Sequence, residues 1–152
     1  MKVREIMSQP VITVKEETRL DEVAQLMLEK GIGGVLVIDK AGVLTGIVTE
    51  SDFTAKEKYV PFSIMRFPQL FGSWLGDDAE ELYASARNTA AREVMSTQVV
   101  TVNENDSIEK VLELILKHDV NRIPVVRDGK PVGIVARRDL LKVMRSQPAL
   151  AP

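Results

Sequence analysis

An internal repeat is the feature of this sequence that most limits how the chain can fold. The segment REIMSQPVITV at 4–14 recurs as REVMSTQVVTV at 92–102, with 7 of 11 residues identical. Farther along, GIVTESD at 46–52 returns as GIVARRD at 133–139, with one residue fewer between the two blocks. Two blocks repeated in the same order indicate an internal duplication, so the fold must use one supersecondary unit twice.

Each copy predicts the element order β-α-β-β-α. The first helix of each copy is expected to start at Thr18 or Ser107, both good N-cap residues, and Gly31 suits the position after a helix C-cap. Asp128-Gly129 between apolar runs predicts a hairpin. The six predicted strands are 11–14, 35–38, 43–48, 99–102, 123–126 and 132–135. A last helix follows the third strand of each copy.

Three short strands cannot bury both faces of a sheet alone, so the two copies should pack together. We therefore predict an α/β fold of the α+β type, in which tandem β-α-β-β-α repeats form a pseudo-twofold pair. Each copy begins with a short Arg-Glu-[Ile/Val]-Met segment, which we interpret as an amphipathic lead-in. The expected domains are a first repeat at 1–53, an insert with a helix at 54–90, a second repeat at 91–145 and a frayed tail at 146–152.

Composition excludes several classes of function. The chain has no cysteine and one histidine, His118, which excludes disulfide frameworks, thiolate nucleophiles, Cys-ligated zinc and sites that need two histidines. We predict no metal site and, without a nucleophile–base arrangement or a phosphate-cradling glycine loop, no enzyme. The net charge of −2 argues against nucleic acid. No apolar run approaches about 20 residues and no secretory stretch is present, which predicts no membrane contact and a cytoplasmic location.

The repeated motifs resemble those of a known family. The order V-x-T-V, helix, [I/V]-P-V-V, glycine turn and G-I-V-x-x-x-D is similar to that of the CBS domain, and the tandem pair resembles a Bateman module. The resemblance covers 3–53 and 91–145. It implies a non-catalytic sensor that requires no cofactor and binds an adenine nucleotide (AMP, ADP, ATP or an adenosyl compound) as a regulatory ligand in the clefts between its repeats. We expect a homodimer that transmits the bound state to an effector protein, which the sequence does not name.

The end of each copy has a chemical logic of its own. We expect a helix to start at Thr49 or Ala136, where free N–H groups attract an anion such as phosphate. A carboxylate three residues on can accept hydrogen bonds from a ribose diol. For the motif G-h-x-[S/T]-x-x-D, the resemblance implies that the hydroxyl contacts phosphate and that the carboxylate contacts the ribose. These positions are Thr49, Asp52 and Asp139 here.

A second interpretation needs no ligand, because Thr-x-x-Asp before a helix is also close to a capping box. Ala136 has no hydroxyl with which to cap, yet Asp139 is retained, which favours a ligand contact for Asp139. The guanidinium groups of Arg137 and Arg138 are candidates to replace the missing hydroxyl on a phosphate. We therefore expect the cleft of these arginines to be the better phosphate site.

The resemblance implies two clefts, each completed by both repeats. The first cleft would be lined by Thr13, Ile32, Gly33, Arg137, Arg138 and Asp139. The second cleft would be lined by Thr49, Asp52, Thr101, His118, Asn121 and Arg122. Basic residues near the His118 position are implied to contact phosphates in a relative of this type. His118 equally suits the carboxyl end of a helix dipole, and Arg122 the solvated end of a strand.

The insert departs from the family pattern. All seven aromatic residues lie between 53 and 83, and Asp77-Asp78 before 79–92 predicts a capped helix. Three roles are open for the segment: packing on its own module or dimer, forming a partner surface, or closing one cleft. The alternative function follows from the second role. It is an interaction or scaffold subunit with empty clefts, in which Phe71 and Trp74 matter and Asp139 does not.

Overall fold

The repeats organise the described chain into two spatial units. The computed structural model describes residues 1–53 and 87–146, apart from the side chain of Ser146. The first-repeat unit contains residues 13–40, 45–53 and 87–97, and the second-repeat unit contains residues 1–12, 41–44 and 98–146. These units group the segments that pack together, whereas the domain boundaries at 53, 90 and 145 stay a prediction.

The elements confirm the expected α+β repeat. The first repeat has β1 (Thr13–Lys15), α1 (Leu20–Lys30), β2 (Gly34–Ile38) and β3 (Leu44–Thr49). The second repeat has α2 (Ala91–Val94), β4 (Val102–Asn103), α3 (Ile108–His118), β5 (Arg122–Arg127), β6 (Lys130–Ala136) and α4 (Leu141–Ser146). Short 3-10 helices span Val3–Glu5, Glu50–Phe53 and Arg137–Leu140. Strands β1 and β4 begin later than predicted, because the apolar residues before them are half-buried outside the sheets.

Each unit contains a three-stranded sheet. In the first-repeat unit β2 lies between β1 and β3, and β1 runs parallel to β2 with Thr13 opposite Leu36. In the second-repeat unit β5 is parallel to β4 and antiparallel to β6. Asp128 at φ 53° and Gly129 at φ 78° turn the chain between β5 and β6. Two successive positive φ angles are what a two-residue hairpin of type I′ requires, so the predicted hairpin is confirmed.

The two long helices begin differently although their sequences correspond. Ser107 is the N-cap of α3, as predicted, and its Oγ accepts a hydrogen bond from the Lys110 backbone N–H at 3.3 Å. The prediction of Thr18 for α1 is wrong, because the N-cap of α1 is Arg19. The Oγ1 of Thr18 instead accepts from the Lys15 backbone N–H at 3.0 Å and closes the turn after β1. A short hydroxyl side chain is also favoured in such turns, which the local sequence does not distinguish from a cap.

The first lead-in segment, residues 3–8, completes the core of the second-repeat unit. Val3 is 0% exposed and Ile6 is 2% exposed. The backbone N–H of Val3 donates to the Asp106 carbonyl at 2.9 Å, and Ser8 bridges to Ile134 of β6. The buried core of this unit consists of Val3, Ile6, Val102, Ile108, Val111, Ile115, Ile123, Val125 and Val135. The lead-in of the first repeat therefore packs on the sheet and helix of the second repeat.

The second lead-in segment, residues 91–96, makes the reciprocal packing in the first-repeat unit. Ala91 and Val94 are both 0% exposed. The Ala91 backbone N–H donates to the Thr18 carbonyl at 2.8 Å, and Ser96 exchanges backbone hydrogen bonds with Ile47 of β3. The amphipathic lead-in predicted for each repeat thus buries its apolar side against the other repeat's elements.

One predicted helix is corrected in its described part. The segment 79–92 was expected to be continuous, but Ala90 is extended at φ −86° and ψ 152°, and α2 begins at Ala91. At this break the Leu20 backbone N–H donates to the Thr89 carbonyl at 2.9 Å. This hydrogen bond holds the chain out of helical geometry. The rest of that helix, the aromatic positions 59–83 with Phe71 and Trp74, and the tail from 147 onward lie outside the described residues.

Candidate functional site

The two candidate sites are the points where the last strand of each repeat ends. Strand β3 passes into the 3-10 helix Glu50–Phe53, and β6 passes into the 3-10 helix Arg137–Leu140. A helix was expected to start at Thr49 or Ala136, and a helix does follow each of these residues, but its first turn is 3-10 and α4 begins only at Leu141. A 3-10 turn aligns its N–H groups less well than an α-helical turn, so the first turn at each point is a weaker anion site than an α-helix start.

A buried carboxylate caps the backbone at each of these points. Asp52 is 7% exposed and Asp139 is 5% exposed. An Oδ2 atom accepts from the Thr49 backbone N–H at 2.8 Å in the first copy and from the Ala136 backbone N–H at 2.8 Å in the second. The capping interpretation therefore holds in both copies.

Ala136 does not favour a ligand contact for Asp139, so that prediction is wrong. The side chain at position 136 is not the group that caps. The acceptor is the carboxylate and the donor is a backbone N–H, so the side chain at position 136 has no part in the hydrogen bond. Retention of Asp139 next to an alanine is explained by capping alone.

The first-repeat unit brings Thr49, Asp52 and Gly33 together. The Glu50 backbone N–H donates to the Gly33 carbonyl at 3.1 Å, and the Thr49 hydroxyl is 2.8 Å from that of Ser51. The other residues expected opposite Asp139 lie in this unit as well. Ile32 donates its backbone N–H to the Met27 carbonyl at 3.0 Å, and Thr13 is half-buried at the start of β1.

The second-repeat unit gathers residues that the sequence assigned to different clefts. The Arg137 backbone N–H donates to the Asn121 carbonyl at 3.0 Å, and Arg122 lies opposite Ala136 in the β5–β6 ladder. The Arg137 guanidinium donates to the Val120 carbonyl at 3.0 Å and to Asp119 at 2.9 Å. Arg137 is therefore already engaged inside its own unit.

The remaining predicted residues of this unit keep their side chains more open. The Arg138 side chain is exposed, and its guanidinium makes no hydrogen bond or ion pair with the described residues. His118 is the exposed last residue of α3, the position expected from the helix-dipole interpretation. Thr101 is half-buried just before β4. That the residues of the two units share clefts stays a prediction.

Sequence reasoning missed two partners of the site. Lys142 lies three residues after Asp139, and its Nζ is 2.8 Å from Asp139 Oδ1. The i,i+3 spacing of opposite charges was a usable signal for this pair. Asp119, which holds Arg137, occupies the left-handed C-cap position of α3 at φ 49°. Nothing in the local sequence indicated that pairing, because the two residues are 18 positions apart.

The described parts of the chain hold no candidate metal site and no candidate membrane-spanning helix. Within residues 1–53 and 87–146, no three His, Cys, Asp or Glu side chains lie together in a way that could hold a metal ion. In the same ranges no helix has both the length and the apolar character needed to cross a membrane.

Comparison with known proteins decides the family. The sequence profile of the CBS domain matches twice, at residues 3–58 and 91–146. The chain belongs to the CBS domain family. The match confirms the tandem pair expected from the internal repeat.

Individual CBS proteins support the same fold. The CBS domain-containing protein YhcV of Bacillus subtilis is 30% identical, over 91% of this chain and 81% of its own length. The crystal structure of the CBS domain of a CBS domain-containing membrane protein from Sphaerobacter thermophilus has a TM-score of 0.80 and 42% identity, covering 93% of this chain and 86% of that one. CBSX2 solved in complex with AMP has a TM-score of 0.70 at 24% identity, covering 95% and 96%.

Proposed function

We propose that this CBS pair is a non-catalytic regulatory module that binds an adenine nucleotide through the carboxylates at the ends of β3 and β6. The observation that carries the proposal is the state of Asp139. A carboxylate has about four acceptor positions, and the described residues fill two of them, with the Ala136 N–H and the Lys142 ammonium. Capping itself occupies only Oδ2, so Oδ1 can accept from a ribose diol in place of the Lys142 ammonium.

The charge next to each carboxylate supports different phosphate affinities. Arg137 and Arg138 flank the second carboxylate, whereas Glu50 and Ser51 hold the corresponding positions in the first copy. Arg138 is the better phosphate ligand of the two arginines, because the Arg137 guanidinium is paired with Asp119. A guanidinium binds phosphate oxygens in a bidentate manner. We expect phosphate-bearing ligands to prefer the second-repeat unit.

Adenosine compounds are the first ligands to test. CBSX2, which has the same fold, was solved with AMP, and a diol contact to a carboxylate fits any adenosyl ligand. The family's regulatory role would then require two conformations with different ligand affinity, since a ligand shifts an equilibrium only by its differential affinity. The effector that reads the shift, the homodimer and the cytoplasmic location stay predictions.

Titration calorimetry of the purified chain with AMP, ADP, ATP and S-adenosylmethionine tests the proposal. Asp139→Asn and Asp52→Asn are the informative variants, because an amide oxygen can still accept the capping hydrogen bond while the charge is lost. Asp128→Asn in the β5–β6 turn is the matched control, since asparagine tolerates a positive φ. We expect saturable binding that Asp139→Asn weakens at least tenfold and Asp128→Asn leaves unchanged. No heat with any of the four ligands, from folded protein, would contradict the proposal.

The alternative is a scaffold subunit that acts through the aromatic insert. It predicts that Phe71→Ala and Trp74→Ala abolish capture of a partner protein, while Asp139→Asn does not.

The predicted homodimer is tested in the same samples, because light scattering measures their oligomeric state. Leu28 is 83% exposed and Leu116 is 79% exposed at corresponding positions of α1 and α3, so Leu116→Glu is the variant expected to weaken a homodimer.

A further inference from the structure

Lys142 joins two parts of the second-repeat unit. Its Nζ lies 2.8 Å from Asp139 Oδ1 and donates to the Ile6 carbonyl at 3.0 Å. Ile6 ends the 3-10 helix of the first lead-in segment and is 2% exposed. One ammonium group therefore holds both the candidate carboxylate and the segment that completes the core of the unit.

Of the two donors that the described residues bring to the Asp139 carboxylate, Lys142 is the one that can move away. The Ala136 N–H belongs to the backbone at the end of β6 and is fixed by the β5–β6 ladder. The Lys142 side chain is 47% exposed, whereas that of Asp139 is 6% exposed. A diol that reaches this covered carboxylate must displace something, and a long, half-exposed lysine is the group that moves most easily.

We propose that Lys142 is a positioning residue that couples ligand binding at Asp139 to docking of the first lead-in segment, an inference that rests on the proposed function. A ligand hydroxyl donates to Asp139 Oδ1 in place of the Lys142 ammonium, which thereby loses its charged partner. The neutral Ile6 carbonyl alone does not hold a side chain with so much rotamer freedom. The lead-in then opens more often, and by linkage its docking opposes ligand binding to the same extent.

The consequence for the lead-in is specific. This segment places Met7 against Gly133 and pairs Ser8 with Ile134, both on β6. Loosening it therefore changes the surface of the strand that carries the site. The first repeat has no counterpart in sequence, because the offset of 87 that relates Asp139 to Asp52 relates Lys142 to Ala55. Coupling of this kind is expected from the second carboxylate and not from the first.

Hydrogen exchange of the full chain, read by mass spectrometry on peptides covering residues 1–8, tests the coupling. The ligand is whichever of AMP, ADP, ATP and S-adenosylmethionine binds in calorimetry. In the wild type, saturating ligand should speed lead-in exchange roughly threefold to tenfold, the effect of losing one hydrogen bond of ordinary net strength. In Lys142→Met, exchange should already be fast without ligand, ligand should add nothing, and the ligand should bind more tightly by a similar factor.

Two further variants separate coupling from a general loss of stability. Lys142→Arg keeps the charge and the donors, so it should restore the ligand response. Lys130→Met removes a positive charge at the opposite end of β6 and should behave as the wild type does. The readout is the ligand-induced change in exchange at the lead-in, which a merely structural lysine would not alter.

The results that would contradict the coupling differ from those that would contradict the proposed function. If the wild type binds ligand but lead-in exchange does not change, or if Lys142→Met responds as the wild type does, the coupling is overturned and the nucleotide site stands. If no ligand binds to the wild type or to Lys142→Met, the proposed function fails and the coupling falls with it.

Discussion

The sulfur of Met7 lies 2.5 Å from the position that a Cβ atom would occupy on Gly133. The same relation is found between Met95 and Gly46 in the other unit, where the sulfur again lies closest to the absent Cβ. A glycine inside the last strand of each repeat thus admits the methionine of the other repeat's lead-in. Both members of each pair recur in the internal duplication.

Gly133→Ala should therefore destabilise the chain by about 1–3 kcal/mol, as overpacking does. The added Cβ would meet the Met7 Sδ at 2.5 Å and its Cγ at 3.0 Å, so rotation of the sulfur alone does not relieve the clash. Urea denaturation gives the free energies of unfolding. In a Met7→Ala background the cost of Gly133→Ala should fall by at least half, and an equal cost in both backgrounds would contradict the contact.

Asp139→Ala should lower the free energy of unfolding by roughly 2–3 kcal/mol, because it removes the acceptor of a backbone N–H and leaves Lys142 without its partner. Asp139→Asn should cost less, about 1 kcal/mol, since the amide oxygen still accepts the bond. Thermal and urea denaturation measure the difference. If Asp139→Ala were as stable as the wild type, the carboxylate would have no capping role and its presence would be explained by ligand alone.

Ser107→Ala should cost about 1 kcal/mol, the usual effect of losing an N-cap. The matched substitution is Arg19→Ala, at the N-cap of α1, where no side chain caps the helix. Its ion pairs with Asp21 and Glu22 are exposed, so the change should be within about 0.5 kcal/mol. Equal losses at the two positions, measured by urea denaturation, would show that the serine hydroxyl contributes nothing.

Stability should fall in acid through Asp106. The Asn103 backbone N–H and then the Lys110 ammonium lower the pKa of Asp106 below its ordinary value. A carboxyl whose folded pKa is depressed stabilises the fold above the unfolded pKa, about 3.9, and loses that contribution as pH falls through the folded pKa. Asp106→Ala should cost about 1 kcal/mol at pH 7. The gap from the wild type, followed by urea denaturation from pH 7 to pH 2, should close below pH 4; a constant gap would contradict this.

The sequence predicted those features whose causes are local. The Asp128-Gly129 turn, the cap at Ser107 and the order of strands each depend on a few adjacent residues. Thr18 shows the limit of such reasoning, because a hydroxyl that caps a helix and one that closes a turn look alike in sequence. Which repeat a lead-in packs against depends on contacts such as Val3 with Asp106, more than 100 residues apart, and no periodicity encodes them.

In the candidate site, too, the features with local causes were predictable and the contacts between distant residues were not. The motif G-I-V-x-x-x-D located both carboxylates, and the capping box predicted the backbone donor of Asp52 but not that of Asp139. The ion pair between Arg137 and Asp119 could not be predicted from the sequence, because it requires the end of α3 and the end of β6 to meet. Lys142 could have been paired with Asp139 from its spacing, but its bond to Ile6 spans 136 positions.

The exchanged lead-ins make the two halves of this protein interdependent. Because the opening residues of each repeat complete the core of the other unit, a proteolytic cut within 54–86 does not release two self-sufficient domains. A lone repeat would have to borrow its missing piece from a second molecule, as in domain swapping. With both repeats in one chain that exchange is intramolecular, so its extent does not depend on protein concentration.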